Sequence, residues 1–152
     1  MVYKFRIVSN EKEDFFRDIE IDAENNFYEL HKAIQNSVNY DTSFLATFFV
    51  SNNKWEKLQE ITLMDMSEND QNLKPVMHQT KLNEFIKDKK DKVLYIYDMF
   101  SERAFFIELV NVKKREKNKE YPVLINGNGK APIQSLMNDF PIFSNEFDDE
   151  NF

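Results

Sequence analysis

Val2-Tyr3-Lys4-Phe5-Arg6-Ile7-Val8, then Phe15-Phe16-Arg17-Asp18-Ile19-Glu20-Ile21, then Phe27-Tyr28-Glu29-Leu30-His31-Lys32-Ala33-Ile34-Gln35-Asn36-Ser37-Val38: the reading of these three stretches decides the fold. The first sets β-branched and aromatic residues against Lys4 and Arg6, the period-two pattern of a strand with one buried face. The second alternates in the same way after a polar turn at 9–14, so the two read as a hairpin. In the third the period changes. Phe27, Leu30, His31, Ile34 and Val38 fall at helical spacing, while Glu29, Lys32, Gln35 and Asn36 face away. Asn25 or Asn26 can cap its first turn with a side-chain oxygen.

Outward from this block, 44–50 returns to strand composition, and 55–58 is expected to pair back on it across the turn Ser51-Asn52-Asn53-Lys54. Residues 61–66 read as a short strand or an irregular cover, and 67–72 as polar loop. Thr80 looks like the cap of a short helix carrying Leu82, Phe85 and Ile86. Val93-Leu94-Tyr95-Ile96-Tyr97-Asp98 and the run 104–112 are the strongest strand signals, close enough to form a hairpin. Tyr121-Pro122-Val123-Leu124-Ile125 follows, then a tight turn at Asn126-Gly127-Asn128-Gly129. The order β-β-α-β-β-(α)-β-β predicts an α+β domain: a mainly antiparallel sheet with one long and one short helix on one face. The domain is expected over 1–132, and 133–152 reads as an acidic, aromatic C-terminal tail.

Composition removes many chemistries. A length of 152 residues suits one domain. The absence of cysteine excludes disulfides, thiolate metal sites, iron–sulfur clusters and cysteine nucleophiles. A net charge of -7 disfavours general attraction to phosphate backbones. Two glycines are too few for a phosphate-cradling loop or a dinucleotide fingerprint, so no cofactor is expected. The longest apolar runs fall far below the ~20 residues of a membrane span. The opening Met1-Val2-Tyr3-Lys4-Phe5-Arg6 lacks the apolar stretch and cleavage site of a signal peptide, so a cytoplasmic location is expected.

In order, Val2-Tyr3-Lys4-Phe5-Arg6-Ile7, Phe16-Arg17-Asp18-Ile19-Glu20-Ile21, Phe27-Tyr28-Glu29-Leu30-His31-Lys32-Ala33-Ile34 and the segment from Tyr40 to Phe48 resemble the plasmid pRiA4b ORF-3-like family. The likeness resumes at Leu94-Tyr95-Ile96-Tyr97-Asp98, Phe106-Ile107-Glu108-Leu109 and Tyr121-Pro122, so it covers roughly 2–132 with a diverged middle. The resemblance implies a compact α+β protein associated with plasmids and mobile elements, with no established activity. It also implies two histidines and a glutamate where this chain has Phe44, Ala46 and Thr47, and Gly-Asp where it has Met99-Phe100. His31 and Asp98 are what remains of that polar set, so the expectation is a degenerate, non-catalytic member.

Each candidate residue carries a plainer reading. His31 has Phe27 one turn back and Gln35 one turn on, neither a strong orienting partner for a catalytic base, so it reads first as a buried structural histidine. His78 reads as incidental, and two histidines so separated make no metal site. Asp98 caps a turn or is a remnant functional carboxylate; Glu102, with Arg103, forms a surface ion pair or belongs to the same site. The basic run Lys113-Lys114-Arg115-Glu116-Lys117-Asn118-Lys119 reads as a solvated loop before it reads as a phosphate contact. In the tail, acidic residues interleave with Phe140, Phe143, Phe147 and Phe152; it either folds back on the sheet or projects to a partner. The preferred expectation is a non-catalytic domain binding an unidentified protein partner, with Trp55, Phe143 and Phe147 as anchors. The rivals are a metal-dependent or hydrolytic enzyme around His31, Asp98 and Glu102, and a nucleic-acid-associated protein using 113–119.

Overall fold

A computed structural model of the chain describes residues 1–65 and 73–136. Seven strands form one sheet: β1 (Val2–Ser9), β2 (Phe16–Asp22), β3 (Thr47–Ser51), β4 (Lys57–Thr62), β5 (Lys92–Asp98), β6 (Arg103–Lys113) and β7 (Val123–Asn128). The single α-helix of the described residues, α1, spans Phe27–Val38. The order across the sheet is β4-β3-β5-β6-β1-β2-β7, with every pair antiparallel. Strands β1 and β2 make the hairpin the alternation predicts, with Phe5 opposite Ile19 and Tyr3 opposite Ile21. α1 then carries the chain under the sheet from β2 to β3 on the far side.

The helix forms where the period switches. Asn26 sits in extended conformation and its Oδ1 accepts the Glu29 amide hydrogen at 2.8 Å. Asn39 ends it in the left-handed region at φ 57, where asparagine is tolerated best after glycine. Phe27, Leu30 and Ile34 are fully buried against Phe5, Phe48, Tyr95 and Phe105 of the sheet. Each such side chain contributes about 1.5–3 kcal/mol by leaving water.

Three local expectations change. The short helix after Thr80 is a pair of 3-10 turns at Met77–Gln79 and Leu82–Glu84. Thr80 does not cap it; its hydroxyl donates to the Val76 carbonyl at 2.8 Å, and the Glu84 carboxylate accepts the Lys81 amide hydrogen instead. The strand after Pro122 does not turn at Asn126 but continues to Asn128, because Arg17 and Phe16 of β2 pair with Gly127 and Asn128. Within 126–129 it is Gly129 that takes a positive φ, +79, where a Cβ would stand 2.9 Å from the Asp14 carbonyl oxygen. The chain's return strand begins at Lys57, two residues later than expected at 55. Among the described residues, no helix is long and apolar enough to cross a membrane.

Candidate functional site

Alternation along β5 divides its side chains between two environments. Tyr95 and Tyr97 face α1, while Leu94 and Ile96 belong to a second apolar cluster on the opposite face. Under α1, His31 is 3% exposed and its Nδ1 lies 2.7 Å from the Tyr95 hydroxyl, which also accepts a hydrogen bond from Gln35 Nε2 at 3.0 Å. Burial, with Lys32 nearby, holds the His31 imidazole neutral and pulls its pKa down to about 4. Burial likewise pushes the Tyr97 phenol up to about 12 and the Tyr95 phenol above its ordinary value. The imidazole is thus a buried hydrogen-bond acceptor.

Asp98 is 5% exposed and ends β5. Its Oδ1 accepts the Ser101 amide hydrogen at 3.3 Å, closing the turn, and its Oδ2 accepts from Arg103 Nη1 at 3.2 Å. Glu102 lies in that turn at φ 53, with Lys57 as ion-pair partner at 3.7 Å. His31, Asp98 and Glu102 therefore have separate partners: the fold gives no hydrogen bond or ion pair linking any two of them. No cluster of three or more potential metal-ligating side chains occurs among the described residues.

A larger polar assembly, not read from the sequence, centres on Arg103. Its side chain is 9% exposed, lies over the Tyr97 ring, and donates two hydrogen bonds to the Glu11 carboxylate at 2.9 and 2.8 Å. The same guanidinium donates to Gln134 O at 3.2 Å. Those bonds hold the guanidinium well above the usual arginine range and Glu11 below the usual carboxylate range. Gln134 in turn clasps Asp41 by both backbone groups, at 2.7 and 2.9 Å, and Tyr40 donates to the Pro132 carbonyl at 2.6 Å. The segment 132–134 is thereby strapped across one end of the sheet.

The sheet face away from α1 carries a row of residues in register across all seven strands: Glu60, Phe49, Leu94, Phe106, Val8, Phe16 and Asn128. Trp55 closes over it, its ring edge-on to Phe106 at 5.1 Å; this half-buried side chain sits at φ 64 in the turn before β4. A cation covers each flank: Lys57 over Phe49, Lys92 over Trp55 and Arg6 over Phe16. Every one is ion-paired, Lys57 with Glu102, Lys92 with Glu108 and Arg6 with Asp18. The face is therefore aromatic and electrically balanced. In the basic run, Lys113 and Lys119 grip Glu20 at 2.8 and 2.9 Å, and Arg115 meets Asp22 at 2.8 Å, while Lys114 and Lys117 are exposed. Phe143 and Phe147 lie outside the described residues.

A family model described as plasmid pRiA4b ORF-3-like protein matches residues 1–138. The chain belongs to the plasmid pRiA4b ORF-3-like family. The protein of unknown function MM3350 from Methanosarcina mazei Go1 has a similar crystal structure, with a TM-score of 0.70 and 25% sequence identity over 88% of this chain and 72% of that one. No curated protein matches. In this plasmid pRiA4b ORF-3-like protein, Thr47 pairs with Ile96, so the start of β3 and the end of β5 adjoin at one end of the sheet. Phe44, Ala46, Thr47, Met99 and Phe100 therefore fall at that same end. Thr47 there donates its hydroxyl to the Glu60 carboxylate at 2.9 Å.

Proposed function

We propose that this family member is a non-catalytic binding domain, carried by a plasmid or mobile element and working in the cytoplasm, that engages a protein partner. The observation that carries the reading is the aromatic row on the sheet face opposite α1, with Trp55 as its central anchor. Large aromatic side chains ringed by polar ones are the composition of protein-interface cores. Paired cations of both flanks suit a partner surface of mixed charge better than a phosphate backbone, which rewards unpaired lysines and arginines. Phe143 and Phe147 are the remaining anchors of this reading.

The absence of turnover has its own support. His31 is buried, neutral and committed to Tyr95; Asp98 is committed to Arg103 and its turn. The end of the sheet to which the family resemblance assigns histidines and a glutamate holds Phe44, Ala46 and Thr47 here. An enzymatic site around His31, Asp98 and Glu102 lacks shared contacts, and a nucleic-acid site at 113–119 has Lys113, Arg115 and Lys119 already engaged by carboxylates.

The test is capture of host proteins on the immobilised full chain after nuclease treatment, identified by mass spectrometry. A protein retained by the wild type and by a Lys87→Ser control, but lost with Trp55→Ser and with Phe49→Ser, is the expected result. Capture indifferent to both aromatic substitutions, or abolished by nuclease, sinks the reading.

A further inference from the structure

Among the described residues, Arg17 is the arginine without a carboxylate. Arg6, Arg103 and Arg115 form ion pairs with Asp18, Glu11 and Asp22. Arg17 donates to carbonyl oxygens instead: Nη1 to Phe16 O and Asn128 O, both at 2.8 Å, and Nε to Ser37 O at 3.1 Å. Its guanidinium lies over the Phe15 ring, and burial pulls its pKa below the ordinary arginine value. Nη2, which carries two N–H groups, has no partner among the described residues. Gly127 opens the path for this side chain, because a Cβ there would stand 3.0 Å from the Arg17 Cδ. A cation without a counter-charge is thereby carried to the last residue of β7.

Arg17 borders a groove. Between β7 and α1 runs a half-open channel of about 310 Å³, lined by Ile19, Ala33, Val123 and Leu124 with Lys32 and Asn36. Ser37 lines it too, and the Ser37 carbonyl is one of those that hold Arg17. Lys32 is already paired with Glu29 at 3.3 Å, so Arg17 is the cation left for a ligand. The other wall is an open edge. β7 pairs on one side only, with β2, and its sequence Val-Leu-Ile-Asn-Gly-Asn holds no charge. A bulge at Ile125 divides it into Val123-Leu124, beside the apolar lining, and 126–128, beside Arg17. An uncharged open edge is a template for another strand.

We propose that this groove binds an extended, acidic segment of another protein, which adds to β7 as an eighth strand and sets a carboxylate on Arg17. Charge complementarity selects that occupant: the free Nη2 donors call for an anion, and a carboxylate takes them in charge-assisted hydrogen bonds. The backbone of β7 supplies affinity to any extended chain, while the groove and Arg17 supply the choice of side chains. Ile19 and Arg17 stand two apart on β2 and face α1 together, so the segment's apolar and acidic side chains are expected two residues apart. The site lies on the α1 side of the sheet, away from the aromatic face, and the two readings stand or fall independently.

The test selects a random-peptide library on the immobilised full chain and measures the enriched peptides in solution. Enriched peptides are expected to carry Asp or Glu two positions from Val, Ile or Leu. Changing that acid to its amide is expected to weaken binding to wild type about tenfold, the loss of one charge-assisted hydrogen bond, and to change nothing with Arg17→Met. Leu124 is 47% exposed, so Leu124→Glu keeps the fold and is expected to abolish binding even if Arg17→Met does not fold. Trp55→Ser is expected to bind as wild type does, and bound peptide to slow hydrogen exchange at 123–128 but not in β3. Enrichment without an acidic preference, or binding indifferent to Leu124→Glu, would overturn the proposal. So would protection centred on Phe49 and Phe106, or a dimer of the free chain that Leu124→Glu dissolves, which assigns the edge to a second copy.

Discussion

His31 Nδ1 and the Tyr95 hydroxyl, 64 residues apart in sequence, meet at 2.7 Å between α1 and the sheet. Tyr95 accepts a hydrogen from Gln35, so its own proton is free to go to His31, which then carries its ring hydrogen on Nε2. In that neutral tautomer the Tyr95 hydroxyl donates to one neighbour and accepts from the other. The strip is not fully paired, since Gln35 Oε1 and the Tyr97 hydroxyl are buried without a hydrogen-bond partner. Such a strip ties helix to sheet at a defined register, and it makes the core sensitive to protonation.

The pH dependence of stability follows. The folded His31 pKa is about 4, below the ordinary 6.5, so the fold favours the neutral ring. Stability from this group is fully present above pH 6.5 and is lost as pH falls toward 4. Between pH 7.5 and 5 the loss is expected to be about 2 kcal/mol. Urea unfolding of wild type and His31→Gln across this window checks it; the variant should show a much flatter profile. A wild-type profile as flat as the variant's would mean the imidazole charges in the folded state.

Tyr95→Phe removes one oxygen from the same strip and leaves the His31 and Gln35 polar atoms unpaired in the interior. Each such orphan costs about 1–3 kcal/mol, so a loss of ~2–4 kcal/mol is expected at pH 7.5, read from the urea midpoint at unchanged slope. Loss below ~1 kcal/mol would show that the network contributes little beyond packing.

Much of the scaffold is legible locally. The β1–β2 hairpin announces itself by alternation, α1 by the change of period after Asn26, and the β5–β6 hairpin by two dense apolar runs. What fails locally depends on distant partners. Asn126-Gly127-Asn128 has turn composition, yet β2 recruits it as strand, with Arg17 bonding to Asn128 O. His31 is recognisable as a residue on an apolar face, but its partner Tyr95 is set by how α1 lies on the sheet. Arg103 and Glu11 are 92 residues apart, and no local pattern links them. The alternation of Phe49, Leu94 and Phe106 is visible strand by strand; their alignment into one row, beneath Trp55, needs the strand order.

Arg103 is expected to be the costliest surface-proximal residue to replace. Arg103→Met strands the Asp98 carboxylate, 5% exposed, without its cation, and releases Gln134 and Glu11. Breaking a buried pair by removing one partner costs about 3–5 kcal/mol. Arg103→Lys keeps the charge but loses the planar fork, so about half that loss is expected. Thermal unfolding should rank wild type above lysine above methionine, and proteolysis within 131–136 should accelerate in the same order. Equal stability of all three would mean that the strap holds without the guanidinium.

The two glycines of the β7 region should respond oppositely to the same change. At Gly129, φ is +79 and a Cβ would lie 2.9 Å from both the Asp14 oxygen and the Phe15 Cα, backbone atoms that cannot step aside. Gly129→Ala therefore combines left-handed strain with a clash, for an expected loss of ~2 kcal/mol or more. At Gly127 the backbone is ordinary strand, and a Cβ would meet the Arg17 Cδ at 3.0 Å, a side-chain atom, and the Phe16 carbonyl oxygen only at 3.3 Å. Gly127→Ala is expected within about 0.5 kcal/mol of wild type, since the loss of chain entropy in the unfolded state offsets the displacement of Arg17. Urea midpoints of the two variants check the contrast; a loss at Gly127 as large as that at Gly129 would mean that Arg17 is held too firmly to move.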